Sequence, residues 1–590
     1  MTSSEKSPSS TTGAKKISAG ILLSRITGLL RESLLRSVLG LGPAADAFAA
    51  ALRIPNLLQN LLGEGSLSSS FIPVYSRLLS EGKEKEAGNV AGAVAGLLIA
   101  FTGVLTLIGI FLAEPIAKIL TPGFTSEKLD LTADLIRITT CGIGFLVLAA
   151  WCLGVLNSHR KFFLSYVAPV IWNATQVIVL IIAIGNNWDP TKAARAAAWG
   201  LLFGGLAQLL FQFSGVIKLR SRIRISFSSR NTHVKEIIKR FNPAVLGRGV
   251  VQISAYFDLV LASLLATGAV AALLSAQVLY ILPVSLFALS IAAAELPEMS
   301  RETNSDNLRN RLDQGIKRTS FLMLITSVVY ISLGDQIIGI LFQWGSFSRD
   351  DTIVVAATLA AYSVGLPAIG VSRIYQSVLY ARGDTKTPAI AATMRVAISL
   401  LVGLFLMFPL DRLFIDDGTL NSESGGILSD WGPLSQGIRS LPENPHLGAV
   451  GLAAASALGA WFEMFFLANR TKRKMSLEIS PHSPMLKLLP ASITALLIAT
   501  IGRLLLSETN EIVTNLVCIP AATISYIAVS KKSQVQESLR LVEGLKRRKS
   551  SKNLSLIHIS EPTRLLSIAV AGFCFKKKRG GGGGGGGGGG

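Results

Sequence analysis

The sequence predicts an all-α polytopic membrane protein of about fourteen transmembrane helices, and three observations predict it. Half of the 590 residues are hydrophobic and only 16% are charged, with a mean hydropathy of +0.50. Apolar windows of about 20 residues, the length that crosses a bilayer, recur along the chain. Lysine and arginine crowd into every second connection between those windows, the pattern that marks cytoplasmic loops. A net charge of +21 would otherwise suggest nucleic acid, but its confinement to short loops leaves no nucleic-acid partner to expect.

Residues 1–16 form a Ser/Thr/Lys-rich cytoplasmic tail with no secretory signal peptide. Spans are expected near 17–40, 44–72, 88–113, 131–156, 163–185, 196–217, 242–266, 269–296, 319–342, 352–379, 388–410, 448–468, 484–506 and 512–529. Basic clusters follow the even-numbered spans, for example Arg160 with Lys161, and Arg470 with Lys472, Arg473 and Lys474. The opposite loops are poor in Lys and Arg, and the longest, 411–447, carries Asp411, Asp416 and Asp417. Both termini of this multi-pass protein are therefore expected in the cytoplasm. Cys141, Cys152 and Cys518 form no CxxC pair and read as small apolar packing residues.

The first two spans are apolar enough for a bilayer, yet carry Arg25, Arg31, Glu32, Arg36, Asp46 and Arg53. At 100° per residue Arg25, Glu32 and Arg36 share a face, and Arg31 lies roughly a third of a turn away. Each ionisable group at membrane depth costs at least ~2.5 kcal/mol on insertion scales, so such groups face a protein interior or a wet cavity. Pro55 and Pro73 are expected to interrupt the second span. At 1.5 Å per residue Arg25 lies about 12 Å in from the cytoplasmic side, and Arg248 and Arg373 about 10 Å in. Three arginines at similar depth suggest a cationic wall facing the inner leaflet. Arg395 and Glu463 reach about the same depth on consecutive spans and predict a structural ion pair. Asp258 is either a cation- or proton-coupling carboxylate or a hydrogen-bonded structural one. No catalytic residue and no metal site is expected.

The halves echo each other at an offset of about 223 residues, as in Pro73-Val-Tyr-Ser-Arg77 against Pro297-Glu-Met-Ser-Arg301. Six spans per repeat start both repeats on the same membrane side, so the relating pseudo-two-fold runs along the membrane normal. The expected organisation is an N-lobe over 17–220, a basic linker over 221–241, a C-lobe over 242–474, two C-terminal helices over 484–529 and a basic tail over 530–553.

The run Arg25-x5-Arg31, Ala45-Asp46-Ala47-Phe48, Ile54-Pro55-Asn56-Leu57-Leu58, Gly63-Glu64-Gly65 and Phe71-Ile72-Pro73 resembles the opening of the MurJ (MviN) lipid II flippases. Ala168-Pro169 with Asn173, and Tyr380-Ala381-Arg382-x-Asp384-x-Lys386-Thr387-Pro388, extend the resemblance over roughly residues 17–530. It implies the fold of the multidrug/oligosaccharidyl-lipid/polysaccharide exporters and lipid II, the undecaprenyl-diphosphate-linked peptidoglycan precursor, as substrate. It implies transport from inner to outer leaflet by alternating access, with the membrane potential, Na+ or H+ as candidate drives and no bound cofactor. Cell-wall synthesis enzymes are possible partners. Arg25, Arg31, Asp46, Arg53, Arg248 and Arg373 are expected to line the substrate cavity, Arg248 and Arg373 on their depth, Arg248 at no position that the family pattern marks. The alternatives are another exporter of the superfamily, for a polysaccharide repeat or a drug, or an inactive scaffold of the cell-wall machinery.

The chain departs from the family pattern where Val278 and Ile281 replace an Arg and a Glu of span 8, and Gln59 an Arg of span 2. Gly403 and Met407 stand where some members place sodium ligands. Arg248 is expected to supply the countercharge lost at Val278. Finally, Leu554–Arg564 reads LSLIHISEPTR, the translation of a transposon-type sequencing adapter, and 554–590 is expected to be an assembly artefact.

Overall fold

The computed structural model describes residues 10–219, 223–228, 230–423, 431–441, 444–475, 483–506 and 509–532, without the side chains of 10–19, 21, 64–65, 243–244 and 246–255. The expected adapter segment, most of both terminal tails and the Arg248 side chain thus lie outside the described residues.

Helices dominate. In order they are α1 (Ser10–Leu39), α2 (Pro43–Ala51), α3 (Arg53–Leu62), α4 (Glu64–Ser80), α5 (Glu84–Phe111), α6 (Ala113–Leu120) and α7 (Ser126–Cys141). Next come α8 (Ile143–Ser158), α9 (Phe162–Gly185), α10 (Pro190–Ile217), α11 (Thr232–Ser263), α12 (Ala269–Pro283) and α13 (Leu289–Arg301), the last two joined through the π-helical turn Val284–Ala288. Then follow α14 (Ser305–Phe342), α15 (Arg349–Val364), α16 (Leu366–Ala381) and α17 (Lys386–Asp411). An antiparallel hairpin of β1 (Leu413–Asp416) and β2 (Thr419–Ser422), with Leu413 opposite Ser422, interrupts the helical order. The chain continues through α18 (Gln436–Arg439), α19 (Gly448–Met475), α20 (Ser483–Leu505) and α21 (Glu511–Lys532).

Helix starts follow local chemistry. Asp189 accepts from the Lys192 amide ahead of Pro190, and Ser348 with Asp351 forms a capping box that opens α15. Among the described residues ten helical segments are long and apolar enough to cross a membrane, and α15 with α16, bent by 40°, form an eleventh. The other three expected spans fall on α1, on α2 to α4 and on α11. On α1 and α11 the charged residues, among them Arg25, Arg31, Glu32, Arg36 and Asp258, interrupt the apolar run, while the stretch carrying Asp46 and Arg53 is divided into helices of 9, 10 and 17 residues, each too short to cross alone. The second span breaks at Leu52 and Gly63 rather than at its prolines. Pro55 sits in the first turn of α3, where its missing amide would have had no helical partner anyway.

Contacts divide the chain into two units, residues 1–280, 334–365 and 389–463 against 281–333, 366–388 and 464–590. In the first, Phe71, Val74, Tyr75 and Leu78 of α4 pack with Val90, Ala91 and Val94 of α5 and with Val147, Trp151 and Val155 of α8. Val234 and Ile237 of α11 are buried in the same cluster. The preceding extended segment crosses α5 at Gly92 and Gly96, where a Cβ would run into the Arg224 and Ser226 carbonyl oxygens. The described part of the expected linker is therefore packed on the first helices, not free between lobes. In the second unit Tyr526 of α21 donates to the Phe321 carbonyl at 3.0 Å, and Ser377 of α16 to that of Ala292 at 3.2 Å.

Candidate functional site

Charged side chains in the first unit gather in three places. The first is on α1, where Glu32 and Arg36, one turn apart, form a buried ion pair of 2.6 Å. Arg31 reaches the other Glu32 oxygen at 3.2 Å and lies over the Trp172 ring at 5.0 Å. Its Nη1 faces Asn173 Oδ1 at 3.4 Å, and Asn173 in turn donates to the Ser24 carbonyl and the Thr27 hydroxyl. Two guanidinium groups share one carboxylate, which leaves one positive charge in excess. That charge is presented by Arg31, 22% exposed against 4% for Arg36, and its Nε has no hydrogen-bond partner. Arg25, six residues earlier, is exposed.

The second place joins α3, α11, α12, α15, α17 and α19. Tyr256 donates to the Arg53 carbonyl at 3.0 Å, while Arg53 Nη2 meets Gln277 Oε1 at 3.4 Å. Gln277 donates to the Tyr362 hydroxyl at 3.0 Å, and Tyr362 stacks on Tyr280 with ring centres 4.9 Å apart. Arg395 and Glu463 form the expected ion pair at 3.1 Å. Asp258 stands within the fields of both Arg53 and Arg395 but within ion-pair distance of neither. Arg53 thus holds one long hydrogen bond and a buried Nε without a partner. Such an incompletely satisfied guanidinium can accept an anion at little desolvation cost.

The third place closes the end of the unit expected to face outward. Asp46, expected among the cavity residues, is 1% exposed in this conformation. Its carboxylate is saturated: Lys128 reaches it at 2.5 Å, and the amides of Gly268 and Ala271 donate to it at 2.8 Å each. It acts as a cap on the first turn of α12, supplied from α2. Gly268 has φ +95°, and a Cβ there would lie 2.6 Å from the Leu41 carbonyl oxygen, so only glycine fits the turn. Nearby, the Ser346 amide donates to the Ser37 carbonyl at 2.7 Å.

Arg373 belongs to the second unit, where it donates to Gln376 at 2.9 Å and keeps a buried Nε without a partner. Arg248 lies on α11. Sequence reading missed Lys128, Gln277 and Tyr362. Lys128 sits in a region poor in basic residues, and nothing in one sequence signals which lysine a buried carboxylate will recruit. Among the described residues no three His, Cys, Asp or Glu side chains stand together as a metal site.

The family described as lipid II flippase MurJ matches residues 35–427, more than half of the chain. The chain belongs to the MurJ lipid II flippase family. A probable lipid II flippase MurJ of Rhizobium tropici is 33% identical over 406 residues, 65% of this chain and 74% of that protein. One from Buchnera aphidicola is 30% identical over 397 residues, 66% of this chain and 77% of that protein. Among solved structures, a lipid II flippase MurJ in an inward closed conformation superposes with a TM-score of 0.68 at 24% identity, over 89% of this chain and 99% of that one. An inward-facing multidrug MATE transporter matches with a TM-score of 0.57 at 15% identity, over 78% of this chain and 99% of that one, a likeness of fold alone. The Arg53 and Asp46 sites of this MurJ-family chain both fall inside the matched region.

Proposed function

We propose that this chain flips lipid II across the bacterial inner membrane by alternating access, its headgroup passing arginines of the polar interior. The observation that carries this reading is the family match over residues 35–427. The chemistry of the interior supports it: Arg31 and Arg53 each keep buried guanidinium hydrogen-bonding capacity unspent, as a diphosphate requires. The chain works as a transporter and makes or breaks no bond. The alternation of its basic loops supports cytoplasmic termini, and on that orientation the Asp46 closure faces outward and the substrate enters from the inner leaflet.

Asp258 is the coupling candidate, for Na+ or H+, because it lies in the fields of both Arg53 and Arg395 and forms a direct ion pair with neither. The membrane potential alone is the competing drive. Cell-wall synthesis enzymes remain the expected protein partners, and no resident cofactor is invoked.

The test is complementation in cells depleted of their own lipid II flippase. The unaltered chain should restore growth. Arg31→Ala should abolish rescue with protein still in the membrane, and Arg31→Lys should keep a part, because charge survives while the bidentate fork is lost. Failure of the unaltered chain to support growth, with normal membrane levels, would refute the reading.

A further inference from the structure

Asp46 binds one side of the turn between α11 and α12, and the long 411–447 connection binds the other. The Thr267 amide and hydroxyl both donate to the Arg439 carbonyl, at 2.9 and 2.8 Å. Arg439 Nη1 donates back to the Leu264 carbonyl at 2.9 Å. Asp411, at the last turn of α17 and fully buried, accepts from the Ala266 amide at 3.0 Å. The Leu264 carbonyl and the amides of Ala266, Thr267 and Gly268 are thus all taken by groups from outside the turn.

The connection has its own support. The Ile415 amide donates to the Pro445 carbonyl at 3.1 Å and the Leu447 amide to that of Leu413 at 2.8 Å, so residues 445–447 run beside β1. His446 is buried, pairs through Nδ1 with the Asp411 carbonyl and lies 5.6 Å from the Phe414 ring. Gly418 at the hairpin tip donates to Asp350 at 2.8 Å. The described parts of the connection, buttressed at these points, hold a fixed geometry, unlike a surface loop with no internal pairing.

We propose that Arg439 and Asp411 are positioning residues for the outer closure: they hold the 264–268 turn in the conformation whose amides reach Asp46. The proposal rests on the alternating-access reading above. The carboxylate of Asp46 has two separate amides to engage, 2.8 Å from each, and such a paired contact is lost when the turn shifts by an ångström. Holding the turn beforehand removes the ordering cost of docking and so favours the closed end.

The test reads the closure directly. Ala45, 1% exposed beside Asp46, is replaced by cysteine in a chain whose native cysteines are serines, and a membrane-impermeant maleimide is applied to the outer face of spheroplasts. Arg439→Ala should raise the labelling rate roughly three- to tenfold, the weight of one hydrogen bond. Arg439→Lys, which can still donate to Leu264, should fall between. Thr267→Val is close to isosteric and removes only the hydroxyl bond, so it should raise labelling in a chain that folds normally. Asp46→Asn is the reference for a weakened closure. Unchanged labelling in Arg439→Ala and Thr267→Val, with a rise in Asp46→Asn, would overturn the positioning role. No rise in Asp46→Asn either would instead sink the closure on which it rests. Growth rescue is scored separately, so loss of the flippase reading is distinguishable from both.

Discussion

Replacing Glu463 or Arg395 singly should destabilise the protein much more than replacing both. The two side chains meet at 3.1 Å, Glu463 being 3% exposed and Arg395 22%. Removing one partner of a buried pair strands the other charge, at about 3–5 kcal/mol. The two single losses should differ. Arg395 left alone retains some access to water and the field of Asp258, which puts Glu463→Leu near the lower end of that range. Glu463 has almost no exposure through which to recover solvation, so Arg395→Leu should fall near the upper end. The double leucine variant fills the space without a charge and should recover most of the loss, because a buried pair is often no better than apolar packing. The assay is thermal unfolding in detergent followed by size-exclusion chromatography. A loss of this size corresponds to a fall of several degrees in Tm, on the order of 5–10 °C. A double variant as unstable as the sum of the singles would refute the reasoning, as would single variants that melt with the parent.

Asp46→Asn should abolish growth rescue while leaving membrane levels high. The amide keeps one acceptor, but it leaves Lys128 buried without its counter-charge, and Lys128→Met in the same chain should recover part of the loss of closure measured by outer-face labelling. At the basic end of the second unit, Lys474 binds Asp384 at 2.6 Å, and Thr387 donates to Asp384 twice. Burial raises the Asp384 pKa, but the Lys474 and Thr387 hydrogen bonds outweigh it and lower it to about 2. A depressed carboxylate stabilises above its ordinary value near 4 and loses that contribution as pH falls through about 2. Lys474→Ala should therefore cost ~0.2–1 kcal/mol of stability at pH 7 and at pH 5, because the lysine is half exposed, read as a slightly lower Tm, and the difference should vanish near pH 2. A difference that grows on acidification would refute the assignment.

What the sequence makes legible here is periodicity and cost. Apolar windows at bilayer length locate the spans, and lysines in alternate loops predict their orientation, because hydrophobic thickness and insertion energetics act on every residue alike. The Arg395–Glu463 pair could be paired on paper because consecutive spans and equal depth constrain where two charges meet. Less was legible where a partner comes from distant sequence. A carboxylate in an apolar run, as at Asp46, signals function, but the amides of Gly268 and Ala271 that satisfy it carry no side-chain signature at all. The hairpin over 413–422 was equally hidden, its four-residue strands being too short for alternation to stand out. The breaks at Leu52 and Gly63 escaped notice because the neighbouring prolines were the louder signal, although a proline in a first turn costs a helix nothing.

The span 8 position to which the resemblance assigns an arginine, here Val278, lies beside a guanidinium other than that of Arg248. Val278 follows Gln277, and Gln277 Oε1 stands 3.4 Å from Arg53 Nη2. A guanidinium from α3 therefore already reaches the turn of α12 where the family pattern would place one of its own. Its Nε is buried without a partner, so positive charge and unused donors sit together at that point. If Arg53 delivers the countercharge, Arg53→Ala should abolish growth rescue, and Val278→Arg in the same chain should restore part of it by putting charge back on α12. Gln277→Leu, which removes only the oxygen that orients Arg53, should weaken rescue less than Arg53→Ala, since the charge stays while its aim is loosened. Full rescue by Arg53→Ala would show that the headgroup takes its charge elsewhere. No effect of Val278→Arg, with the protein present in the membrane, would show that α3 and α12 are not interchangeable as its source.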